Sequence, residues 1–241
     1  LKMVRRNLFL ISSSKVHGYE YLQHSKEALT DFFKKNNVSK VLFVPFALFN
    51  YDKYTKKVGD VLTSWGFEVE GIHRKEDPVD AVRQAQAIYV GGGNTFLLLK
   101  TLYEKKLIEP IRERIFSGNA VYVGSSAGTN VATINIKTTN DMPIIYPPTF
   151  DALALVPFNI NPHYLDPLTG STHHGETRQQ RIEEFHHLNT TPVVGLREGT
   201  VLLIEDDKVT LLGDFNARLF MKSKAPVEIS PNSDLSFLLR V

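Results

Sequence analysis

Gly124-Ser125-Ser126-Ala127-Gly128 is a G-x-S-x-G sequence that lies between a short apolar run and a segment able to open a helix. The run Ala-Val-Tyr-Val at 120–123 predicts a buried strand, and residues 127–132 predict the start of a helix. A strand that turns sharply into a helix holds the central serine in a strained, exposed position, and the flanking glycines remove Cβ atoms that would crowd the turn. The stretch therefore predicts a nucleophile elbow with Ser126 as the candidate nucleophile, a feature typical of hydrolases.

On the amino-terminal side of this stretch, compact apolar runs alternate with segments that have helical spacing. The predicted strands are 8–11, 41–44, 67–72 and 88–90, and the predicted helices are 19–35, 51–65, 77–85, 95–105 and 109–116. Short strands that alternate with helices indicate a parallel sheet covered on both faces. The predicted fold class is α/β, a three-layer sandwich around a mostly parallel sheet.

The carboxyl-terminal part of the chain has a different pattern. Residues 133–162 are irregular and contain five prolines, and long irregular segments within a domain are often functional. A helix is predicted over 176–188, and short strands are predicted at 193–196, 200–204, 209–212 and 217–221. Because no linker separates the two parts, we expect residues 1–241 to form a single α/β domain.

The composition argues against several classes of function. The net charge of +2 is near neutral and no basic block is interleaved with aromatic residues, so nucleic acid is not an expected partner. The absence of cysteine excludes disulfides, a cysteine nucleophile and thiolate metal ligands. The first apolar run is too short for a signal peptide, and nothing approaches the ~20 apolar residues of a membrane span. We expect a cytoplasmic protein with no membrane partner.

A serine nucleophile requires a general base, and the base requires an acceptor that orients it. Among the eight histidines, His163 is the best candidate, because it follows a strand-like run that ends at Pro162, at the rim of the sheet. Two acids compete for the third position. Glu198 is favoured, since a strand that ends at Gly199 is a rigid platform, but Asp141 in the irregular segment stays open. Chain order does not choose between them, because triads occur in several unrelated orders.

Stabilising negative charge on a reacting carbonyl oxygen requires two backbone N–H groups aimed at one point. One is expected from Ala127, the residue after the nucleophile. The second is expected from Gly91-Gly92-Gly93, whose glycines let the backbone approach a substrate closely. A triple glycine before a helix could instead cradle a phosphate, but no G-x-G-x-x-G or Walker pattern follows it.

A metal site is a further alternative, and its ligands would be His163, His173, His174 and Glu176. No H-E-x-x-H sequence or comparable pair of ligands supports it. We therefore expect neither a metal nor another cofactor.

Taken together, these residues resemble peptidase E, the α-aspartyl dipeptidase family of serine peptidases. The matching segments run in one order over nearly the whole chain and are 44–47, 71–74, 90–96, 124–130, 138–143, 160–163 and 175–178. Such a run of matches is more specific than any one motif. The resemblance implies a fold similar to that of class I glutamine amidotransferases, in which the elbow usually carries cysteine, whereas here it carries Ser126.

The resemblance also implies an activity and a set of roles. The family hydrolyses dipeptides with an N-terminal aspartate. The implied catalytic residues are Ser126 as nucleophile, His163 as base, and Glu198 or Asp141 as the third member. The implied binding residues are Gly92 and Ala127 in the oxyanion hole, with Arg178 and Asn94 for the substrate. Arginine suits an aspartate side chain because its planar fork grips a carboxylate bidentately.

Two alternative functions stay open. A cyanophycinase-like serine hydrolase of β-aspartyl peptides would share the serine and the histidine, so substrate profiling alone separates it. A catalytically silent binding protein on the same fold is disfavoured, because a serine, a histidine and two acids are all present. The expected partners are small dipeptides, and a homodimer is kept as an option for the oligomeric state.

Overall fold

The fold is built from short strands and helices that alternate over the first half of the chain. The structure is a computed structural model that describes residues 5–167 and 175–240. The strands are β1 (Asn7–Ile11), β2 (Lys40–Val44), β3 (Glu68–Gly71), β4 (Ala87–Val90), β5 (Val121–Ser125), β6 (Asn159–Pro162), β7 (Val193–Leu196), β8 (Thr200–Glu205), β9 (Lys208–Gly213), β10 (Ala217–Phe220) and β11 (Val227–Ile229). The α-helices are α1 (Lys26–Lys35), α2 (Tyr51–Ser64), α3 (Pro78–Gln84), α4 (Thr95–Glu104), α5 (Ile108–Phe116), α6 (Ala127–Asn130) and α7 (Arg178–Leu188).

A sheet of seven strands in the order β3-β2-β4-β5-β1-β8-β9 lies at the centre of the described residues. The five strands from β3 to β1 are parallel, so the prediction of a mostly parallel sheet is confirmed. β8 pairs antiparallel with β1, and β9 pairs antiparallel with β8. Parallel strands end at one edge of a sheet, where ligands bind in this class of fold. The loops after Ile11, Val90 and Ser125 therefore meet at the same edge.

Helices cover both faces of this sheet, because alternate residues of each strand enter different apolar cores. Leu8 and Leu10 of β1 join one core, whereas Phe9 and Ile11 join the other. The first core also contains buried side chains of α3, α4, α5 and α6, and the second contains those of α1 and α2. The result is the mixed α/β layering predicted from the alternation of strands and helices.

A second sheet, which the sequence did not predict, lies beside the first. Its order is β11-β10-β7-β6, with β6 and β7 parallel. Short apolar strands have the same alternation whichever sheet they join, so a single sheet was the wrong expectation. This sheet positions the site, because β6 ends directly before His163, and Leu196 at the end of the neighbouring β7 pairs with Pro162.

Several predicted elements have slightly different bounds in the structure, and two of them illustrate the local reasons. The helix predicted over 19–35 begins only at Lys26, because Leu22 has a φ of 61°, a left-handed conformation that an α-helix does not contain. The strand predicted over 67–72 ends at Gly71, and a 3-10 turn follows at Ile72–Arg74.

Among the helices of the described ranges, none has the length and apolarity needed to cross a membrane.

His24, in the 3-10 turn before α1, has both ring nitrogens shielded from solvent, with no hydrogen-bond partner among the described residues. Burial lowers the pKa of His24, and the carboxylate of Glu198 opposes that shift. As the pH falls, the unfolded chain takes up a proton near the ordinary histidine pKa of about 6.5, before the folded protein does. Folding stability contributed by the neutral ring is therefore lost as the pH falls below that value.

We expect His24→Phe to reduce the loss of unfolding free energy between about pH 7.5 and about pH 5.5, because phenylalanine does not titrate. Urea unfolding at the two pH values measures this difference. His187→Gln is the matched control, since His187 is exposed and its ring stays hydrated in the folded state. An identical pH dependence in the wild type and in His24→Phe would contradict the assignment.

Candidate active site

Ser126 occupies the sharp turn between β5 and α6, with φ 54° and ψ −111°. A positive φ outside glycine costs about 1–3 kcal/mol and needs support from its surroundings. The Ser126 N–H donates to the carbonyl of Ile11, at the end of β1, at 3.1 Å. The flanking glycines are required, because a Cβ at Gly124 would lie 2.6 Å from the Gly128 carbonyl oxygen, and a Cβ at Gly128 would overlap the Val90 carbonyl oxygen.

His163 connects this serine to an acid. Its Nε2 lies 2.8 Å from Ser126 Oγ, and its Nδ1 lies 2.7 Å from Glu198 Oε1. Both are ordinary hydrogen-bond distances. With Nδ1–H donating to the carboxylate, Nε2 is left to accept from the serine hydroxyl, the arrangement that a general base requires.

Glu198 lies in the turn between β7 and β8. The next residue, Gly199, has φ 83°, a conformation that glycine adopts without strain. The side chains of His163 and Glu198 are 34% and 43% exposed, so the pair opens to solvent at the edge of the sheet. A substrate can reach the serine from that side.

The other candidate acid, Asp141, is bound elsewhere. Its Oδ2 accepts hydrogen bonds from the Thr95 N–H at 2.7 Å and from the Thr95 hydroxyl at 2.6 Å, at the first residue of α4. Of the two candidates, Glu198 is the one that hydrogen-bonds to His163 within the part of the chain that the structure describes. Asp141 nevertheless lines the same cleft as Ser126 and His163.

The cleft beside Ser126 is small. A larger groove, lined by Lys40 and Glu68 among others, lies at the opposite edge of the sheet, where β2 and β3 begin. The chemistry, rather than the size of the cavity, therefore identifies the site.

Both predicted oxyanion-hole residues lie next to the serine. A Cβ added to Gly92 would lie 2.9 Å from Ser126 Cβ and 3.1 Å from the Ser125 carbonyl oxygen, so the glycine packs directly against the turn at Ser126. Ala127 is the first residue of α6, where N–H groups have no partner within the helix. The backbone of the turn containing Gly92 and the backbone at the start of α6 therefore both lie next to Ser126.

Arg178 is the first residue of α7 and is half-buried. Burial and the neighbouring Arg181 lower the pKa of Arg178, while the carboxylate of Asp141, a residue of the cleft, opposes that shift. An arginine keeps its charge at neutral pH in spite of such shifts. Arg181, by contrast, pairs with exposed Glu176 at 3.5 Å.

Asn94 caps α4 with its side chain. Its Oδ1 accepts from the Leu97 N–H at 3.0 Å, and its Nδ2 donates to the Met142 carbonyl at 2.9 Å. Both ends of the amide are thus engaged within the chain. They tie the segment that carries Asp141 to the start of α4.

Sequence reasoning missed two features of the site. The hydroxyl of Ser12 accepts from the His163 N–H at 2.9 Å and donates to the Leu196 carbonyl at 2.6 Å. The Ser125 hydroxyl lies 3.2 Å from that of buried Tyr89, so Ser125 is turned into the core while Ser126 faces the cleft. No motif marks these contacts, because they join residues that are far apart in the chain.

Two of the four residues of the alternative metal site, His173 and His174, lie outside the described residues. Over residues 5–167 and 175–240, no group of three or more histidine, aspartate or glutamate side chains is arranged to hold a metal ion.

Comparisons with known proteins identify the family of this chain. The model of peptidase family S51 matches residues 8–212. A "Probable alpha-aspartyl dipeptidase" from Drosophila melanogaster is 59% identical over 235 residues, 98% of each chain. A "Peptidase E" from Streptomyces coelicolor is 48% identical and covers 98% of this chain and 96% of that one. A solved structure of a putative peptidase E from Listeria monocytogenes is 27% identical, with a TM-score of 0.64 over 87% of this chain and 98% of that one. The chain therefore belongs to peptidase family S51.

Proposed function

We propose that this protein is a serine-type dipeptidase that hydrolyses dipeptides with an N-terminal aspartate, Asp-Xaa, through an acyl-enzyme on Ser126. The observation that carries the proposal is the hydrogen-bonded series from Ser126 through His163 to Glu198, at the edge of a small cleft. The family and the names of its relatives support the same activity.

The reaction begins when Ser126 Oγ attacks the peptide carbonyl carbon and His163 Nε2 takes the hydroxyl proton. Glu198 stabilises the resulting imidazolium through Nδ1–H. His163 then gives this proton to the leaving amine, which releases the Xaa amino acid and leaves the aspartyl residue esterified to Ser126. A water molecule that loses a proton to His163 hydrolyses the ester and restores the serine.

The backbone N–H groups of Ala127 and of the turn containing Gly92 receive the negative oxygen in this mechanism. The missing side chain at Gly92 leaves room for the carbonyl beside the serine. Each such donor contributes about 10²–10³ in rate, because it is aimed at charge that develops only in the transition state. The positive φ of Ser126 at the junction of strand and helix supports the nucleophile elbow.

Recognition of an N-terminal aspartate requires partners for two charges, the side-chain carboxylate and the free ammonium. Arg178 supplies a cation at the start of a helix, which also favours an anion. Asp141 supplies the opposite charge. Its Oδ2 is held by Thr95, and its Oδ1 has no hydrogen bond within the described ranges. We infer that Arg178 binds the carboxylate, that Asp141 binds the ammonium, and that Asn94 acts by holding the Asp141 segment.

The finer features of the fold belong to the same proposal. Helices on both faces of the large sheet support a three-layer arrangement like that of class I glutamine amidotransferases, with residues 1–241 as one domain. A chain without cysteine also fits the reducing cytoplasm, where we place the enzyme.

A kinetic screen with Asp-Xaa, β-Asp-Xaa, Glu-Xaa and Asn-Xaa dipeptides tests the function. We expect the highest kcat/KM for Asp-Xaa. A preference for β-Asp-Xaa would favour the cyanophycinase-like alternative. If no peptide were cleaved and a fluorophosphonate failed to label Ser126, a silent binding protein would be favoured.

We expect Arg178→Ala to lower kcat/KM for Asp-Xaa by about 10²-fold, since removing one partner of a charge pair leaves the other unpaired. Labelling of Ser126 by a fluorophosphonate should continue, because the probe has no carboxylate. Steady-state kinetics on Asp-Xaa and Asn-Xaa measure the loss of discrimination.

Arg181→Ala is the matched control, since this arginine on the same helix pairs with Glu176 and should contribute little. Unchanged discrimination between Asp-Xaa and Asn-Xaa in Arg178→Ala would show that the carboxylate is held elsewhere.

A further inference from the structure

Ser12, directly after β1, is fully buried and connects the two segments that carry the proposed base and acid. Its hydroxyl accepts from the His163 N–H at 2.9 Å and donates to the Leu196 carbonyl at 2.6 Å. Leu196 ends β7 and stands two residues before Glu198. One hydroxyl group therefore ties the backbone of His163 to the strand that leads to Glu198.

The residue before it extends this junction to the serine. The carbonyl of Ile11 accepts from the Ser126 N–H at 3.1 Å and from the Thr129 hydroxyl at 2.7 Å. The N–H of Ser12 donates to the Thr200 carbonyl at 3.1 Å, so the peptide between Ile11 and Ser12 is held by β8 as well. The end of β1 is thus a fixed point to which all three proposed triad segments are attached.

The hydrogen bond from the His163 N–H to the Ser12 hydroxyl supports a residue whose backbone conformation is strained. His163 has φ 52°, in the left-handed region that residues other than glycine seldom adopt. Such a conformation persists only where the surroundings determine it, and a backbone N–H shielded from water needs a partner. The Ser12 hydroxyl supplies that partner and fixes the direction in which the imidazole leaves the backbone.

We propose that Ser12 is a positioning residue for the His163 imidazole. Its hydroxyl sets the orientation in which Nε2 reaches Ser126 and Nδ1 reaches Glu198. It acts only through the His163 backbone and the Leu196 carbonyl. This inference rests on the proposed function, because it assigns Ser12 a part in the same reaction.

Ser12→Ala removes the hydroxyl without adding an atom. We expect kcat for Asp-Xaa to fall about 10²-fold, the effect of a displacement of about 1 Å at a reacting group, with KM nearly unchanged. We also expect the pH profile of kcat/KM to change, because the profile depends on the contact between the imidazole and Glu198. A loss of folding stability alone would not change this profile.

Ser13→Ala is the matched control, since Ser13 is also buried but its hydroxyl donates to the Lys15 carbonyl within its own loop. It should keep the wild-type kcat and pH profile. Ser12→Cys, which replaces the hydroxyl by a thiol that is a weaker donor and acceptor, should have a kcat between those of the wild type and Ser12→Ala. Fluorophosphonate labelling of Ser126 should slow in the same order, because it depends on His163 but not on the substrate pocket.

A wild type that neither cleaves Asp-Xaa nor becomes labelled on Ser126 would overturn the proposed function. An active wild type whose Ser12→Ala and Ser12→Cys variants keep the wild-type kcat and pH profile would overturn the role of Ser12 alone. An equal loss of kcat and an equal change of the profile in Ser13→Ala would overturn it as well.

Discussion

Ser126→Ala is expected to lower kcat for Asp-Xaa by about 10⁶-fold, the usual effect of removing a nucleophile that acts with its base as one unit. A methyl group cannot attack a carbonyl, and no backbone hydrogen bond of the turn at Ser126 depends on Oγ. The His163 ring, which loses a partner at 2.8 Å, is open enough for water to replace it. Steady-state kinetics, together with a thermal unfolding curve that shows the variant is folded, measure the effect.

The adjacent serine is the control for this experiment. Ser125 is fully buried and its hydroxyl lies against that of Tyr89, so Ser125→Ala should change kcat only a few-fold while Ser126 remains reactive to a fluorophosphonate. Near-normal hydrolysis by a pure sample of Ser126→Ala would contradict the assignment of the nucleophile.

The sharp turn at Ser126 and the parallel sheet could be predicted because their signals are local. A run of apolar residues, a glycine two residues before Ser126 and a glycine two residues after it are all read from one short stretch of sequence. The steric reason is visible in the structure, where Gly128 lies against the carbonyl of Val90 on the neighbouring strand. Local steric constraints of this kind leave a direct imprint on sequence.

The sequence contains no comparable local signal for the division of the later strands between two sheets. β7 has the same apolar character as β8, although β7 belongs to the second sheet and β8 joins the large one. Pairing of strands depends on contacts between distant segments, and an alternating pattern fits either sheet. The bonds of Ser12 to His163 and Leu196 are invisible in the sequence for the same reason.

The choice between the two acids also depends on distant contacts. Asp141 and Glu198 each follow a plausible turn in the sequence, and a preference for the rigid platform at Gly199 was the only basis for choosing. In the structure, Thr95, 46 residues away in the chain, engages Asp141, while the turn after β7 brings Glu198 to His163. The sequence could name both acids but could not give their partners.

Glu198→Gln is expected to lower kcat by roughly 10³-fold or more, with a smaller change in KM. The amide is neutral and cannot stabilise the imidazolium that forms when His163 takes the serine proton. Its NH₂ group also favours the tautomer that places the proton on Nε2, which then cannot accept from Ser126. Steady-state kinetics on Asp-Xaa and the rate of Ser126 labelling by a fluorophosphonate should both fall.

Asp141→Asn distinguishes the roles of the two acids, because the two substitutions should affect different measurements. Because Asp141 is held by Thr95 in the substrate cleft, its loss of charge should raise KM for Asp-Xaa while Ser126 labelling proceeds at nearly the wild-type rate. Both substitutions keep the size and shape of the side chain, so each one tests the loss of a single negative charge. If Asp141→Asn abolished labelling and Glu198→Gln left it intact, the carboxylate that supports His163 in the reaction would be Asp141, and the 2.7 Å contact of Glu198 would be a structural ion pair.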